Sequence, residues 1–407
     1  MKKDYVSMVD ELLDRAIAER ASDIHLEPFF YNGELAGRIR FRIDGVLQNR
    51  GRVDAASYRG MVSRIKITAK MNITEKRLPQ DGKFMIPDRD IDVRVASLPE
   101  IRGEKLVLRL LSNMRGITDI DHLGLTVSQR KQVAAMLDRK RGLILVCGPT
   151  GCGKSTTLYS VLRNISTPEV NITTIEDPVE MTLNGITQVQ LQENIDLNYA
   201  TVLKAIMRQD PDIIMVGEIR DRQVAAEAVR FAMTGHQVLT TLHTIDAAGS
   251  VKRMLEMGVE PYLLADVLEG VIAQRLVRRV CPHCREKILS GDPEKHLWKI
   301  PNGTPIYRAA GCEHCSHTGY YERIGVFEIL SANAALKQAI LQNRPIDPEK
   351  FAQQASASVV DQDPEKKSQT QFENPFKPFK DGIRNLILQG ITTTEEGVRV
   401  FGSEINR

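Results

Sequence analysis

Gly148-Pro149-Thr150-Gly151-Cys152-Gly153-Lys154-Ser155-Thr156 is the stretch of this 407-residue chain whose types and spacing carry the most specific chemistry. The frame Gly-x-x-x-x-Gly-Lys-Ser over 148–155 has P-loop spacing. Its glycines let successive backbone N–H groups curl around a phosphate without a Cβ in the way, and the helix N-terminus behind them adds partial positive charge. A lysine at position 154 reaches β- and γ-phosphates, and the hydroxyl of Ser155 serves Mg²⁺. The apolar run Leu143-Ile144-Leu145-Val146 before the loop and the helical pattern after it supply the context the motif requires. All nine residues are candidates for holding a nucleoside triphosphate.

Further carboxylates and cations fall at strand ends. The β-branched run 171–175 delivers Glu176, Asp177 and Glu180, and the apolar run 212–216 ends in Gly217-Glu218. Open α/β sheets place ligands at such carboxyl ends. A magnesium-holding aspartate is usual where Gly217 stands, so metal contact falls to Ser155, phosphates, water and Glu218. His243 ends another strand pattern and is a candidate phosphate sensor, whereas His25 and His236 read as structural. Arg94 and Arg109 each sit alone in an apolar strand pattern, either as a structural ion pair or as a group aimed at an anion in a neighbouring module. Arg38, Arg40 and Arg42 alternate with Ile39, Phe41 and Ile43 and read as a solvated face. Far downstream, Cys281-x-x-Cys284 and Cys312-x-x-Cys315 are separated by 27 residues. Two such knuckles point to a closed four-thiolate zinc site, structural because no position is left for water. His283, His314 and His317 are ligands only if a cysteine does not engage.

The elements that must position these groups follow from periodicity. Residues 1–112 read as an α+β module, with helical spacing over 4–19 and 56–70. A strand is stopped at Pro28, an alternating strand turns at Asp44-Gly45, and further strands fall at 83–86, 91–97 and 105–111. Residues 113–124 read as a linker. Alternating strand and helix patterns over 125–280 are βαβ-like, and 281–325 is the cysteine module, with a small strand–helix excursion pinned at its base. Residues 326–407 read as helical, interrupted by a polar insertion at 353–375 whose composition points to disorder.

Composition sets limits. The 55 basic and 52 acidic residues nearly cancel, which gives no argument for direct nucleic-acid binding. No run of 18 apolar residues occurs, and Met1-Lys2-Lys3-Asp4 lacks the apolar core of a signal peptide. The expectation is a cytoplasmic protein, associated with a membrane only peripherally or through partners. In that compartment the six cysteines are not a disulfide framework.

Jointly the motifs resemble the traffic ATPases of type II secretion, type IV pilus extension and competence pili. The matching stretches are 22–28, 42–47, 78–82, 92–95 and the P-loop. Thr174-Ile175-Glu176-Asp177-Pro178-Val179-Glu180 is similar to the family's Asp box, 210–221 to its Walker B, and Thr241-Leu242-His243-Thr244 to its His box. The resemblance implies a PAS-like N-terminal domain followed by a RecA-like ATPase domain, six identical subunits in a ring, and ATP held between the modules. It also implies that Arg94 and Arg109 reach nucleotide phosphates, that Glu176 and Glu218 orient the attacking water, and that Gly217 is normal. Zn²⁺ on the cysteines is similar to the secretion and extension branch. The partner implied is an integral-membrane platform protein, with the ATPase peripheral at the inner face of the cell membrane. The chain resembles the short forms without an added N-terminal docking domain. A nucleic-acid translocase or conjugation-type secretion ATPase is the alternative.

Overall fold

A computed structural model describes residues 4–89, 91–112, 119–351 and 376–402. The polar insertion expected at 353–375 lies outside the described residues, as does the first half of the expected linker. The chain divides into two compact units, Met1–Gly116 and Ile117–Arg407.

The first unit begins with α1 (Tyr5–Ala18), capped by Asp4, whose carboxylate accepts from the Val6 and Ser7 amides at 2.6 and 2.9 Å. Its apolar face, Val9, Leu12, Leu13 and Ala16, is buried. Strands β1 (Asp23–Tyr31), β2 (Glu34–Ile43) and β3 (Val46–Asp54) lead to α2 (Ala55–Thr68). Strands β4 (Gln80–Ile86), β5 (Ile91–Glu100) and β6 (Gly103–Ser112) complete a six-stranded sheet ordered β3-β2-β1-β6-β5-β4. All its neighbours pair antiparallel. Positive φ values of 47° at Asp44 and 84° at Gly45 close the β2–β3 hairpin as a primed turn. Residues of α1 and α2 share one core with alternate residues of the sheet, Ile24, Leu26, Phe41, Val93, Val95, Leu106 and Leu108 among them.

Two local expectations change here. β1 does not stop at Pro28 but continues to Tyr31. Its pairing with β6 ends at Leu26, so beyond that point β1 is bonded on one edge only, where a proline without an N–H is tolerated. The arginines of β2 are not a merely solvated face: Arg38 and Arg40 bond Glu27 at 3.1 and 2.7 Å, and Arg42 lies 3.7 Å from Asp23. Both acids belong to the neighbouring strand, so β2 read alone does not reveal them.

The second unit is built on a seven-stranded sheet ordered β15-β12-β7-β11-β10-β8-β9. Its strands are β7 (Gly142–Cys147), β8 (Ile172–Glu176), β9 (Thr187–Gln190), β10 (Ile213–Val216), β11 (Gln237–Leu242), β12 (Leu268–Val280) and β15 (Tyr320–Ser331). All pair in parallel except β15, which runs antiparallel to β12. β7, β8, β10 and β11 are buried throughout, as strands covered on both faces are; β7 and β10 read as continuous apolar runs, whereas β8 and β11 also bury threonines. One core joins α3 (Val127–Leu137) and α4 (Lys154–Ile165) to the sheet. A larger one joins α5 (Tyr199–Ile206), α6 (Arg222–Met233), α7 (Ala247–Glu256) and α8 (Pro261–Val267), with α10 (Ala334–Leu341), α11 (Phe379–Leu388) and Phe401 of α12 (Thr394–Phe401). Between β12 and β15 the excursion is strand–helix–strand: β13 (Glu286–Leu289), α9 (Asp292–Trp298) and β14 (Pro305–Arg308).

Candidate functional site

Parallel pairing brings the carboxyl ends of four strands side by side. Cys147 of β7 lies opposite Leu242 of β11, Thr240 opposite Val216 of β10, and Val216 opposite Ile175 of β8. The P-loop, His243, Glu218 and Glu176 therefore emerge at one edge of the sheet. After β7 the chain turns at Gly148, with φ 148°, where a Cβ would come within 2.4 Å of the Gln274 carbonyl and 2.5 Å of Cys152 Sγ. Only glycine fits that approach. β12 forms the floor of the loop, and Gln274 Nε2 donates to the Cys152 carbonyl at 2.6 Å. Cys152 is buried, and burial pushes its thiol up, so it packs rather than reacts. α4 starts at Lys154 behind Gly153, with φ 90° and no side-chain cap.

Lys154 is buried and its ammonium folds back on the loop, donating to the Gly148 and Pro149 carbonyls at 2.8 and 3.3 Å. Burial draws its pKa down from the ordinary lysine value. Its Nζ also lies 3.5 Å from His243 Nδ1. Burial, then the charges of Lys154 and Arg220, lower the His243 pKa. An ammonium can only donate, so Nδ1 accepts and Nε2–H donates to Glu218 Oε2 at 2.9 Å. Arg220 Nε bonds the other Glu218 oxygen, and its Nη1 bonds Asp177 Oδ2 at 3.1 Å. One chain of contacts thus runs from the P-loop lysine through His243, Glu218 and Arg220 to the loop after β8.

Glu176 has different surroundings. It is buried, with Oε1 accepting from Thr174 Oγ1 at 2.6 Å and Gln188 Nε2 at 3.1 Å, and Oε2 accepting from the Tyr159 phenol. Burial and the Glu176 carboxylate push the Tyr159 phenol up, so it stays a donor. At Gly217 an added Cβ would meet the Ile175 carbonyl at 3.1 Å and Glu176 Cα at 3.5 Å. An aspartate there would press on the neighbouring strand, a physical reason for glycine at that position.

The first unit carries Arg94 and Arg109 on adjacent strands. Lys83, Arg94, Arg109, Asp23 and Arg42 stand opposite one another in a single row across β4, β5, β6, β1 and β2. Residues in such a row share a face, and like charges there repel unless an anion intervenes. Asp23 supplies one, accepting from Arg109 Nε at 3.0 Å.

In the second unit the four cysteines converge, with all four Sγ atoms within 4.8 Å of one another. The separations Cys281–Cys312, Cys284–Cys315 and Cys312–Cys315 are 3.9, 3.8 and 3.8 Å. Four sulfurs about 2.3 Å from a tetrahedral Zn²⁺ would lie about 3.8 Å apart. The donor set fits that ion. Backbone amides of Gly311, Cys312 and Gly319 point at the Cys284 and Cys315 sulfurs at 3.2 Å. Burial raises the Cys315 thiol, but the Cys312 and Gly319 amides, with hydrogen bonds to the Cys284 and Cys312 thiols, bring it down to about 7. The His283 and His314 rings lie 4.1 Å apart, tilted by 44°, and neither belongs to the cysteine cluster.

Sequence reasoning gives no role to Arg220, Tyr159, Gln188 or Gln274. Arg220 alone carries a local signal, two residues beyond Glu218. Tyr159 lies on α4, Gln188 on β9 and Gln274 on β12, and the bonds they make depend on how these elements pack.

Residues 2–388 match the family described as Type II/IV secretion system protein. Over 401 residues the chain is 41% identical to the type II secretion system protein E of Dickeya dadantii, covering 98% of this chain and 76% of that one. Over 405 residues it is 41% identical to the type IV pilus assembly ATPase TfpB of Acinetobacter baylyi, covering 97% and 65%. Among solved structures it is similar to the pilus retraction motor PilT with bound ADP, at a TM-score of 0.60 and 26% identity, over 96% of this chain and 95% of that one.

Proposed function

The chain belongs to the Type II/IV secretion system protein family, the ATPases of secretion and pilus assembly, and from that membership we propose a homo-hexameric motor that hydrolyses ATP to drive assembly of a type IV pilus, competence pilus or type II secretion pseudopilus. It acts through an integral-membrane platform protein, peripheral at the inner face of the cell membrane. No helix among the described residues is long and apolar enough to cross a membrane, in keeping with recruitment by a partner. The second unit is the RecA-like motor. The antiparallel sheet with two helices of the first supports a PAS-like reading.

The observation that carries the proposal is the contact chain Lys154–His243–Glu218 at the carboxyl edge of the parallel sheet. ATP phosphates take the place of the Gly148 and Pro149 carbonyls on Lys154. Ser155, with the phosphates, would hold Mg²⁺, which would supply charge neutralisation at the γ-phosphoryl. Glu218 orients the attacking water. Glu176, with both oxygens already bonded and no exposure to speak of, holds the loop after β8 in place. His243 senses whether Lys154 is engaged by phosphate, and Arg94 and Arg109 supply further positive charge from the first unit. Zn²⁺ on Cys281, Cys284, Cys312 and Cys315 is structural.

Lys154→Ala tests the assignment. Phosphate release from ATP should fall by at least about 100-fold, because the principal phosphate cation is lost. Circular dichroism and the thermal transition should stay close to wild type. Undiminished turnover would overturn the reading.

A further inference from the structure

We propose that Arg220 is a positioning residue for hydrolysis, tying the Glu218 carboxylate to the loop after β8 so that its remaining freedom is confined to the mouth of the P-loop. The proposal rests on Glu218 being the carboxylate that orients water.

The segment after β10 is fixed on either side of this arginine. Ile219 is buried and donates its amide to the Thr241 carbonyl at 3.0 Å. Asp221 caps α6, accepting from the Val224 amide at 2.9 Å. Between these anchors Arg220 turns its guanidinium onto two carboxylates, Nε to Glu218 Oε1 and Nη1 to Asp177 Oδ2. Glu218 is then gripped at Oε1 by Arg220 and at Oε2 by His243. A planar fork with fixed donors sets the plane of the carboxylate, which a lysine cannot do. Without Arg220, Glu218 keeps only the histidine contact and swings about it, and the loops after β8 and β10 lose their direct ionic link.

Arg220 is 57% exposed and Asp177 42%, so this pair adds little to folding. Its effect belongs in the rate. A group held to within a fraction of an ångström can matter by about 100-fold when released.

The test is steady-state ATP hydrolysis by the full chain, with binding of a non-hydrolysable ATP analogue measured separately. Arg220→Gln should lower kcat by roughly 10- to 100-fold while KM and the analogue Kd stay within about twofold. Asp177→Asn, which loosens the far anchor, should reproduce part of that loss in the wild-type background and none of it beside Arg220→Gln, because the two act on one step. An unchanged kcat in Arg220→Gln, a raised KM with kcat intact, or fully multiplicative losses in the double variant would each overturn the proposal. Glu218→Gln separates the premise from the inference. If that variant turns over normally, the reading of Glu218 falls and this proposal with it. If it is inactive while Arg220→Gln is normal, only the role of Arg220 falls.

Discussion

Glu176, Glu218 and Glu328 of the second unit stand in different environments, and the environment decides the task of each. Glu176 is buried but has donors on both oxygens, so it serves as a fixed acceptor. Glu218 stands at the rim between a histidine and an arginine. Glu328 of β15 is buried and accepts from the Phe379 amide at 2.9 Å, with Arg275 and Asp246 nearby. Burial pushes its carboxyl up to about 7 despite the two amides that favour the charged form. The folded value lies above the ordinary 4.5, so the stability from this group is full below pH 4.5 and is lost as pH rises through about 7. Glu328→Gln removes that titration. Its unfolding free energy should therefore gain on wild type by roughly 1–3 kcal/mol between pH 5 and pH 8, since each pH unit separating the folded from the unfolded value is worth about 1.36 kcal/mol. Denaturant titrations of both proteins at the two pH values read this directly, and a pH-independent difference would refute it.

At the scale of elements, the cysteine knuckles join β12 to β15 where the two strands part. The Cys281 amide donates to the Gly319 carbonyl at 2.9 Å, and the excursion between the knuckles leaves and returns at that point. α12 closes over the same place. Glu396 is fully buried and accepts from the Arg278 amide and guanidinium at 2.9 and 2.7 Å. The Tyr320 and Thr393 hydroxyls share a bond at 2.8 Å. If metal binding holds this junction, chelation or Cys312→Ser should release zinc and lower the thermal transition by several degrees, about 2–4 °C for each kcal/mol lost. Metal analysis alongside calorimetry checks both, and a fully stable, zinc-free protein would refute the claim. The knuckles, the P-loop and the strand-end residues were legible because each is a local pattern of type and spacing. So was the mixed α/β fold, from alternating periodicities. The continuation of β1 past Pro28 was not, because it depends on which edge of the strand is paired. Nor were the partners of Glu27 or the Arg220–Asp177 link, which spans 43 residues and exists only once β8 and β10 lie side by side. Pairing between strands is long-range information that no window of sequence contains.

At the scale of the whole molecule, charge at the candidate site argues for contributions from beyond one P-loop. A γ-phosphoryl in transfer spreads charge over three oxygens and needs several cations around it. Lys154 is one. Arg220 is engaged by two carboxylates, so it is poorly placed to serve as another. The first unit, by contrast, lines Lys83, Arg94, Arg109 and Arg42 along one row with the single intervening acid Asp23. A phosphate would find further cations in such a row. In the hexamer proposed above, hydrolysis is coordinated around the ring. Subunits unable to engage ATP should then impair those that can. Mixing wild type with increasing Lys154→Ala protein, after exchange of subunits, should lower total hydrolysis more steeply than the wild-type fraction falls. At equal parts, activity should drop well below half, because few rings would consist of competent subunits alone. A strictly proportional decline would mean that each chain completes and fires its own site independently, and the proposal of a coordinated hexameric motor would have to be given up.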